Sequence, residues 1–408
     1  MIPFSPPRID DRTVKAVEDA LRSGWITTGP RTKEFEKRLA EYCGVDKVIA
    51  LNSWTNACEL VLRWYGIGAG DEVIVPAYTY CATANIVMHV GAKPVMVDVL
   101  DDFTMDPDAL RKAITPRTKC IIPVDIGGLP CRIDRIMRVA VETCHLFTPA
   151  VNLRVAGSNP QMRLGRALVL CDAAHSFGAR IEGKPVGAQA DITGFSFHAV
   201  KNLTTAEGGA LAFNLPEPFD TDELYRYLNT MSLHGQSKDA LAKTRPGAWR
   251  YDVDFPGWKC NMTDLQAAIG LVELDRFDND TTPRRKAICE RYHAAFRNDP
   301  RFIVPHFKDE MRESCYHLYM LRIANAAEAQ RDGIITAIAE REVSVNVHFI
   351  PLPLLSYYKG QGFRMDDYPN TYTLFSNEIS LPVYYDLTDA QVDEVIAAVK
   401  AAVAKVMG

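Results

Sequence analysis

Seven short apolar runs punctuate the first two-thirds of the chain: "KVIALN", "DEVIVP", "KPVMVDV", "KCIIPVDI", "ALVLCDAA", "ITGFSFH" and "GGALAFN". Each is too short for a helix, and amphipathic stretches such as "NACELVLRWYG" and "DALRKAIT" lie between several of them. Continuous Val/Ile/Leu strands separated by helices bury both faces of a sheet, which predicts an α/β fold with a mostly parallel seven-stranded sheet. Functional groups in such sheets gather at the carboxyl ends of the strands. From about Thr281 the texture changes. "RRKAICERYHAAF", "QRDGIITAIAERE" and "DAQVDEVIAAVKAAVAKVMG" read as helices, and "HLYMLRI" and "VSVNVHFI" as strands. The expected division is a large domain over 1–280 and a smaller α+β domain over 281–408, in keeping with a length of 408 residues.

Charge narrows the partners. Lys+Arg 46 against Asp+Glu 51 leaves −5, without a basic block, so nucleic acid and anionic membrane are not expected partners. The start, "MIPFSPPRID", shows no charged and apolar export signal, and no run is long enough to span a bilayer. The ten cysteines include no Cys-x-x-Cys pair and several lie in strand-like runs, which predicts reduced, buried thiols in a cytoplasmic protein. The nine histidines form no His-Glu-x-x-His or other ligand spacing, so no metal is expected.

Three stretches carry chemistry. In "LNSWTNACELVLRW", Ser53, Thr55 and Asn56 stand between a strand end and a helix start, where they serve equally as helix caps or as a cradle for phosphate. The glycines of "GIGAGDEV" precede a strand rather than follow one and make a poor dinucleotide fingerprint. In "VLCDAAHSFGA", Asp172 ends an apolar strand, so its carboxylate caps the next segment or faces a cation such as a protonated pyridine nitrogen. In "SFHAVKNLTTAEGGA", Lys201 follows another strand; it is a snorkelling surface lysine or a desolvated, nucleophilic amine. Taken together in this order, the three match the requirements of pyridoxal 5'-phosphate (PLP).

The chain resembles the DegT/DnrJ/EryC1/StrS family of sugar aminotransferases, and "SGWITTGP", "DAAHSFGA", "SFHAVKNLTTAEGGA" and "GWKCNMTDLQAAIGL" carry the likeness. It extends to "ISLPVYYDLT", essentially end to end, and is similar in pattern to members that make UDP-4-amino-4-deoxy-L-arabinose and to 4-keto-6-deoxy-sugar aminotransferases. The resemblance implies the PLP-dependent transferase fold type I and transfer of an amino group from L-glutamate to a keto nucleotide-sugar, leaving 2-oxoglutarate. It implies that Lys201 tethers the cofactor and that Asp172 partners its ring nitrogen. Thr55, Asn56 and Ser196 match phosphate positions; Tyr80 matches the ring-stacking aromatic and His175 a flanking residue. Asn261 matches a residue that reaches the phosphate from a neighbouring subunit, implying a homodimer with shared sites. His348 matches a small-domain residue at the substrate site, and His198 is a further substrate-site candidate.

Two departures stand out. Trp54 replaces a small residue, and the segment from about Ala140 to Arg166 is longer than expected, which leaves the sugar open. A dehydratase of the same family carries histidine where this chain has Lys201. A regulatory protein on this fold would not need Lys201, Asp172 and Ser196 together, and no helix-turn-helix segment is visible.

Overall fold

The computed structural model describes residues 1–151, 153, 155, 158–237 and 250–408. All seven apolar runs form strands of one sheet: β1 (Lys47–Leu51), β2 (Glu72–Pro76), β3 (Lys93–Val97), β4 (Thr118–Ile121), β5 (Leu168–Asp172), β6 (Ile192–Ser196) and β7 (Gly209–Phe213). Their order is β1-β7-β6-β5-β4-β2-β3. Only β7 runs against its neighbours; the pairs from β6 through β3 are parallel. Alternate residues serve opposite faces. Val169 and Cys171 enter one apolar core, and Leu168 and Leu170 enter the other. Burial on both faces is why these strands read as unbroken apolar runs.

Helices α1 (Asp11–Arg22), α2 (Pro30–Cys43), α3 (Trp54–Trp64) and α4 (Cys81–His89) precede or alternate with the first strands, and α5 (Asp264–Arg276) follows β7. The "SGWITTGP" and "CNMTD" segments prove to be one construction. Buried Asp264 accepts from the backbone N–H groups of Gly29, Arg31 and Thr32 at 2.8, 3.0 and 2.9 Å, and from the Thr32 hydroxyl at 2.7 Å. One carboxylate thus satisfies donors left over at the start of α2, where negative charge also complements the helix dipole.

The helix begun by α5 widens at Phe277–Thr281 and continues as α6 (Thr282–Phe296). Beyond it, β8 (Phe302–Ile303), β9 (Tyr319–Ile323) and β10 (Glu378–Leu381) form an antiparallel sheet. It shares an apolar core with α6, α7 (Glu328–Ala339) and α8 (Asp389–Met407). The expected strand over "VSVNVHFI" is not formed. That segment makes isolated bridges, Ile2 to Val343 and Asn346 to Ser380, and the His348 N–H is taken by the Glu378 side chain instead of a neighbouring strand.

The 140–166 excursion contains the end of a helix (Ile133–Glu142) and a short helix (Pro160–Leu164); residues 152, 154 and 156–157 lie outside the described residues. Buried Gln161 ties it down, donating to the Tyr65 carbonyl at 2.8 Å and accepting from the Ala150 N–H at 2.9 Å. The excursion therefore packs behind α3.

Candidate functional site

A cavity of about 420 Å³ opens at the carboxyl ends of β5 and β6. Of the residues expected at a site, it is lined by Thr55, Tyr80, Asp172, His175, Ser196, His198, Lys201 and His348. Asn56 and Asn261 do not line it. The Asn56 amide donates to Asn52 Oδ1 at 2.8 Å, and the Asn261 amide donates to Thr28 Oγ1 at 2.6 Å. None of the described residues of the excursion lines the cavity either.

At one end, the loop between β1 and α3 approaches β7 so closely that a Cβ on Gly209 would lie 2.4 Å from the Trp54 nitrogen. Ser53 caps α3 by accepting from the Asn56 N–H at 3.1 Å. The N–H groups of Trp54 and Thr55 have no hydrogen-bond partner among the described residues. Free N–H groups at a helix start, beside the Thr55 and Ser196 hydroxyls, constitute an anion site. Trp54 is accommodated because β6 carries Gly194, whose Cβ would fall 2.9 Å from the indole nitrogen.

Asp172 lies deeper and is 4% exposed. It accepts from Thr83 Oγ1 at 2.9 Å and from the Ala174 N–H at 3.1 Å. Burial pushes its pKa up to about 7; those two hydrogen bonds and the Lys201 charge pull the other way. Burial likewise brings Lys201 down to about 8, opposed by Asp172. A lysine so placed has a substantial neutral fraction near neutrality, which makes it a competent nucleophile and proton carrier.

The hydroxyl-rich run after Lys201 explains its own composition. Thr204 Oγ1 donates to the Phe197 carbonyl at 3.3 Å, and Thr205 Oγ1 donates to the Glu207 carbonyl at 2.8 Å. The Thr205 N–H returns to the Phe197 carbonyl at 2.9 Å, and the Lys201 N–H donates to the His198 carbonyl at 2.9 Å. The loop is thereby closed onto the end of β6, which fixes the backbone that carries Lys201.

Three imidazoles, those of His175, His317 and His348, line the same cavity as Lys201. The His175 and His317 rings lie 4.5 Å apart, and His175 and His348 are 6.4 Å apart. Burial and the Lys201 charge hold His175 and His348 below the ordinary histidine range, and His317 is lowered by burial, His175 and Lys201. All three are neutral at pH 7. The Asn202 amide donates to the Cys315 carbonyl at 2.9 Å, which turns its oxygen to His317 Nδ1 at 2.8 Å and fixes an Nδ1–H tautomer. His175 Nδ1 instead accepts from the Gly127 N–H at 3.3 Å. Gly128, at φ +97°, lets this turn pack closely against both histidines, since a Cβ there would meet Cys315 Sγ at 2.7 Å and the His175 carbonyl oxygen and His317 Cβ at 3.1 Å. Tyr80, 57% exposed, presents its ring at the mouth, 5.4 Å from that of Phe349.

Sequence reasoning missed Thr83, His317 and Phe349. Thr79 and Thr83 stand four apart in "TYCAT", the spacing of one helix face, and their hydroxyls lie 2.9 Å apart. That was a readable signal. His317 sits in an apolar strand-like run and gave none.

The DegT/DnrJ/EryC1/StrS aminotransferase family model matches residues 7–145 and 165–400. The chain is 39% identical over 404 residues to the spore coat polysaccharide biosynthesis protein SpsC of Bacillus subtilis (strain 168), covering 98% of this chain and 96% of that protein. Spr1654 of Streptococcus pneumoniae, described as a candidate sugar aminotransferase and solved in its PMP-form, superposes with a TM-score of 0.94 at 47% identity, covering 100% of both chains. PseC of Helicobacter pylori, an aminotransferase involved in the biosynthesis of pseudoaminic acid, gives 0.84 at 25% identity over 99% of both chains.

Proposed function

Since the chain belongs to the DegT/DnrJ/EryC1/StrS aminotransferase family, we propose that this PLP-dependent sugar aminotransferase moves an amino group from L-glutamate to a keto nucleotide-sugar, a 4-keto sugar in particular. The observation that carries this reading is a single cavity holding a desolvated lysine, a buried carboxyl and a helix start with unpartnered N–H groups. These residues fit the cofactor. Thr55, Ser196 and the α3 start would hold its phosphate, Asp172 its ring nitrogen, Tyr80 its ring face and Lys201 its aldehyde carbon. When bound, the group supplies an electron sink for the carbon next to nitrogen. Lys201 then holds and moves the proton at that carbon, and Asp172 keeps the opposing cation charged. Residues 1–280 carry this machinery, while His348 brings the small domain, 281–408, to the substrate side. His198, which faces Glu207 at 3.7 Å, stands at the sugar side.

The product would feed cell-surface polysaccharide or glycoconjugate synthesis, as SpsC's description supports. We place the enzyme in the cytoplasm, where its ten unpaired cysteines stay reduced. Among the described residues no helix is long and apolar enough to cross a membrane. The test is turnover with PLP, L-glutamate and a panel of keto nucleotide-sugars. A product gaining one amino group, with one 2-oxoglutarate released per turnover, supports the assignment; no amino sugar from any of them overturns it.

Thr83 tunes Asp172. Its hydrogen bond favours the ionised carboxyl, so Thr83→Val raises the Asp172 pKa above about 7. Cofactor binding needs that carboxylate, so affinity falls as pH falls, and the midpoint of this loss moves to higher pH in the variant. Fluorescence titrations with PLP across pH read the shift; an unmoved midpoint would separate Asp172 from cofactor binding.

The active unit is proposed to be a homodimer with Asn261 serving the partner's phosphate site. Exposed Tyr251, Val253 and Trp258 before it support a contact surface; the rest of that polar arm, residues 238–249, lies outside the described residues. Mixing Lys201→Ala with Asn261→Asp chains should restore partial activity, because one site of the mixed dimer receives Lys201 and Asn261 intact. Exchange of subunits without recovered activity would refute a shared site.

A further inference from the structure

We propose that Glu378, Ser380 and His348 form a relay that carries a proton from a group docked in the cavity to a buried carboxyl, with the His348 ring neutral before and after. Glu378 and Ser380 are positioning residues on β10, two apart and therefore on one face. Ser380 Oγ donates to Glu378 Oε1 at 2.5 Å and meets His348 Nδ1 at 3.0 Å. Glu378 Oε2 accepts the His348 backbone N–H at 3.1 Å, which fixes the ring's own peptide against the carboxyl. Phe4 stacks on the ring at 5.4 Å, and Nδ1 is committed to Ser380, so Nε2 is the nitrogen offered to the cavity.

The proton balance follows from the geometry. With Glu378 ionised, the Ser380 hydroxyl points at it, His348 holds its proton on Nδ1, and Nε2 is a bare acceptor. A proton arriving at Nε2 releases the Nδ1 proton to Ser380 Oγ, and the Ser380 proton passes to Glu378 Oε1. The end state is a neutral Nε2–H imidazole, a hydroxyl turned toward Nδ1 and a carboxylic acid. One proton enters, one negative charge is cancelled, and no imidazolium persists beside Lys201. The surroundings favour this outcome. Burial and the Lys201 charge bring His348 itself down to about 3, so alone it is a poor base, whereas burial pushes Glu378 up to about 8. The charged and titratable groups packed around the pair are Arg331, whose guanidinium donates to the Glu378 and Phe375 carbonyls, Arg322 opposite on β9, and the buried Tyr78 hydroxyl. On the cavity side they are Lys201, His175 and His317.

Resting on the transaminase reading, the proton's source is the ammonium of the amino donor, which must become an amine before it acts as a nucleophile. Two measurements test the relay. In cofactor-free protein with 15N-labelled histidine, His348 should pass from the Nε2–H to the Nδ1–H tautomer as pH rises, without an imidazolium signal across that change. Glu378→Gln and Ser380→Ala should abolish the exchange, and Ser380→Thr should keep it. In the loaded enzyme, kcat/KM for L-glutamate should fall about 100-fold in Glu378→Gln and Ser380→Ala, with loss of the rise with pH seen in the parent; Ser380→Thr should stay close to the parent. One unchanging tautomer in the parent, or a parent-like pH profile in Glu378→Gln, overturns the proposal. A parent that shows the exchange but never reacts with amino donors would instead count against the transaminase reading.

Discussion

Lys201→Ala is expected to lower kcat for transamination by about 10⁴-fold, the upper end of what a positioned acid–base group contributes. The amine is held at the end of β6 by its own loop and lies in the same cavity as Asp172, with a pKa brought down to about 8 by burial. Alanine removes both the nucleophile and the proton carrier. Arginine does not replace it, because a guanidinium does not deprotonate in this range. The fold should survive, since the loop is tied by Thr204, Thr205 and Asn202 rather than by the amine. Stopped-flow single turnovers together with thermal melting read both quantities. Multiple turnover near the parent's rate would assign the acid–base work to another group.

The second large effect belongs to Asp172→Asn. Removing one partner of a buried ion pair costs about 3–5 kcal/mol, and each 1.4 kcal/mol is about tenfold, so cofactor affinity and turnover together should fall by roughly 10² to 4 × 10³. In the cofactor-free protein the same change relieves a desolvated carboxyl, so melting should hold or rise. That contrast separates a functional Asp172 from a cap. A cap would lose stability and leave PLP binding and turnover as they were. PLP titration, steady-state rates and melting of the same preparation decide between them.

Much of this architecture is legible in the sequence because burial on both sheet faces leaves a strong, continuous signal. Each of the seven apolar runs becomes a strand, and Lys201, Asp172 and Ser196 come together because parallel strands end at one edge. The last third of the chain is less readable. "VSVNVHFI" has the composition of a strand, but its N–H at His348 is used by the Glu378 side chain, a partner 30 residues away. Asn56 shows the limit of local reading from the other side: its amide is spent on Asn52, and the backbone of Trp54 and Thr55 offers the free donors. Glu378 and His317 left no trace because a single polar residue inside an apolar run discloses its partner only in three dimensions.

Lys201 is expected to tether the cofactor. Borohydride reduction of PLP-reconstituted protein, followed by proteolysis and peptide mass spectrometry, locates the tether directly. Lys119 is an internal control: it is buried, it donates to the carbonyls of Pro116 and Thr148, and it does not line the cavity. The reduced pyridoxyl label is expected on the peptide containing Lys201 alone, at one per chain; label on Lys119 or another lysine, with Lys201 unmodified, would mean that a different amine holds the cofactor.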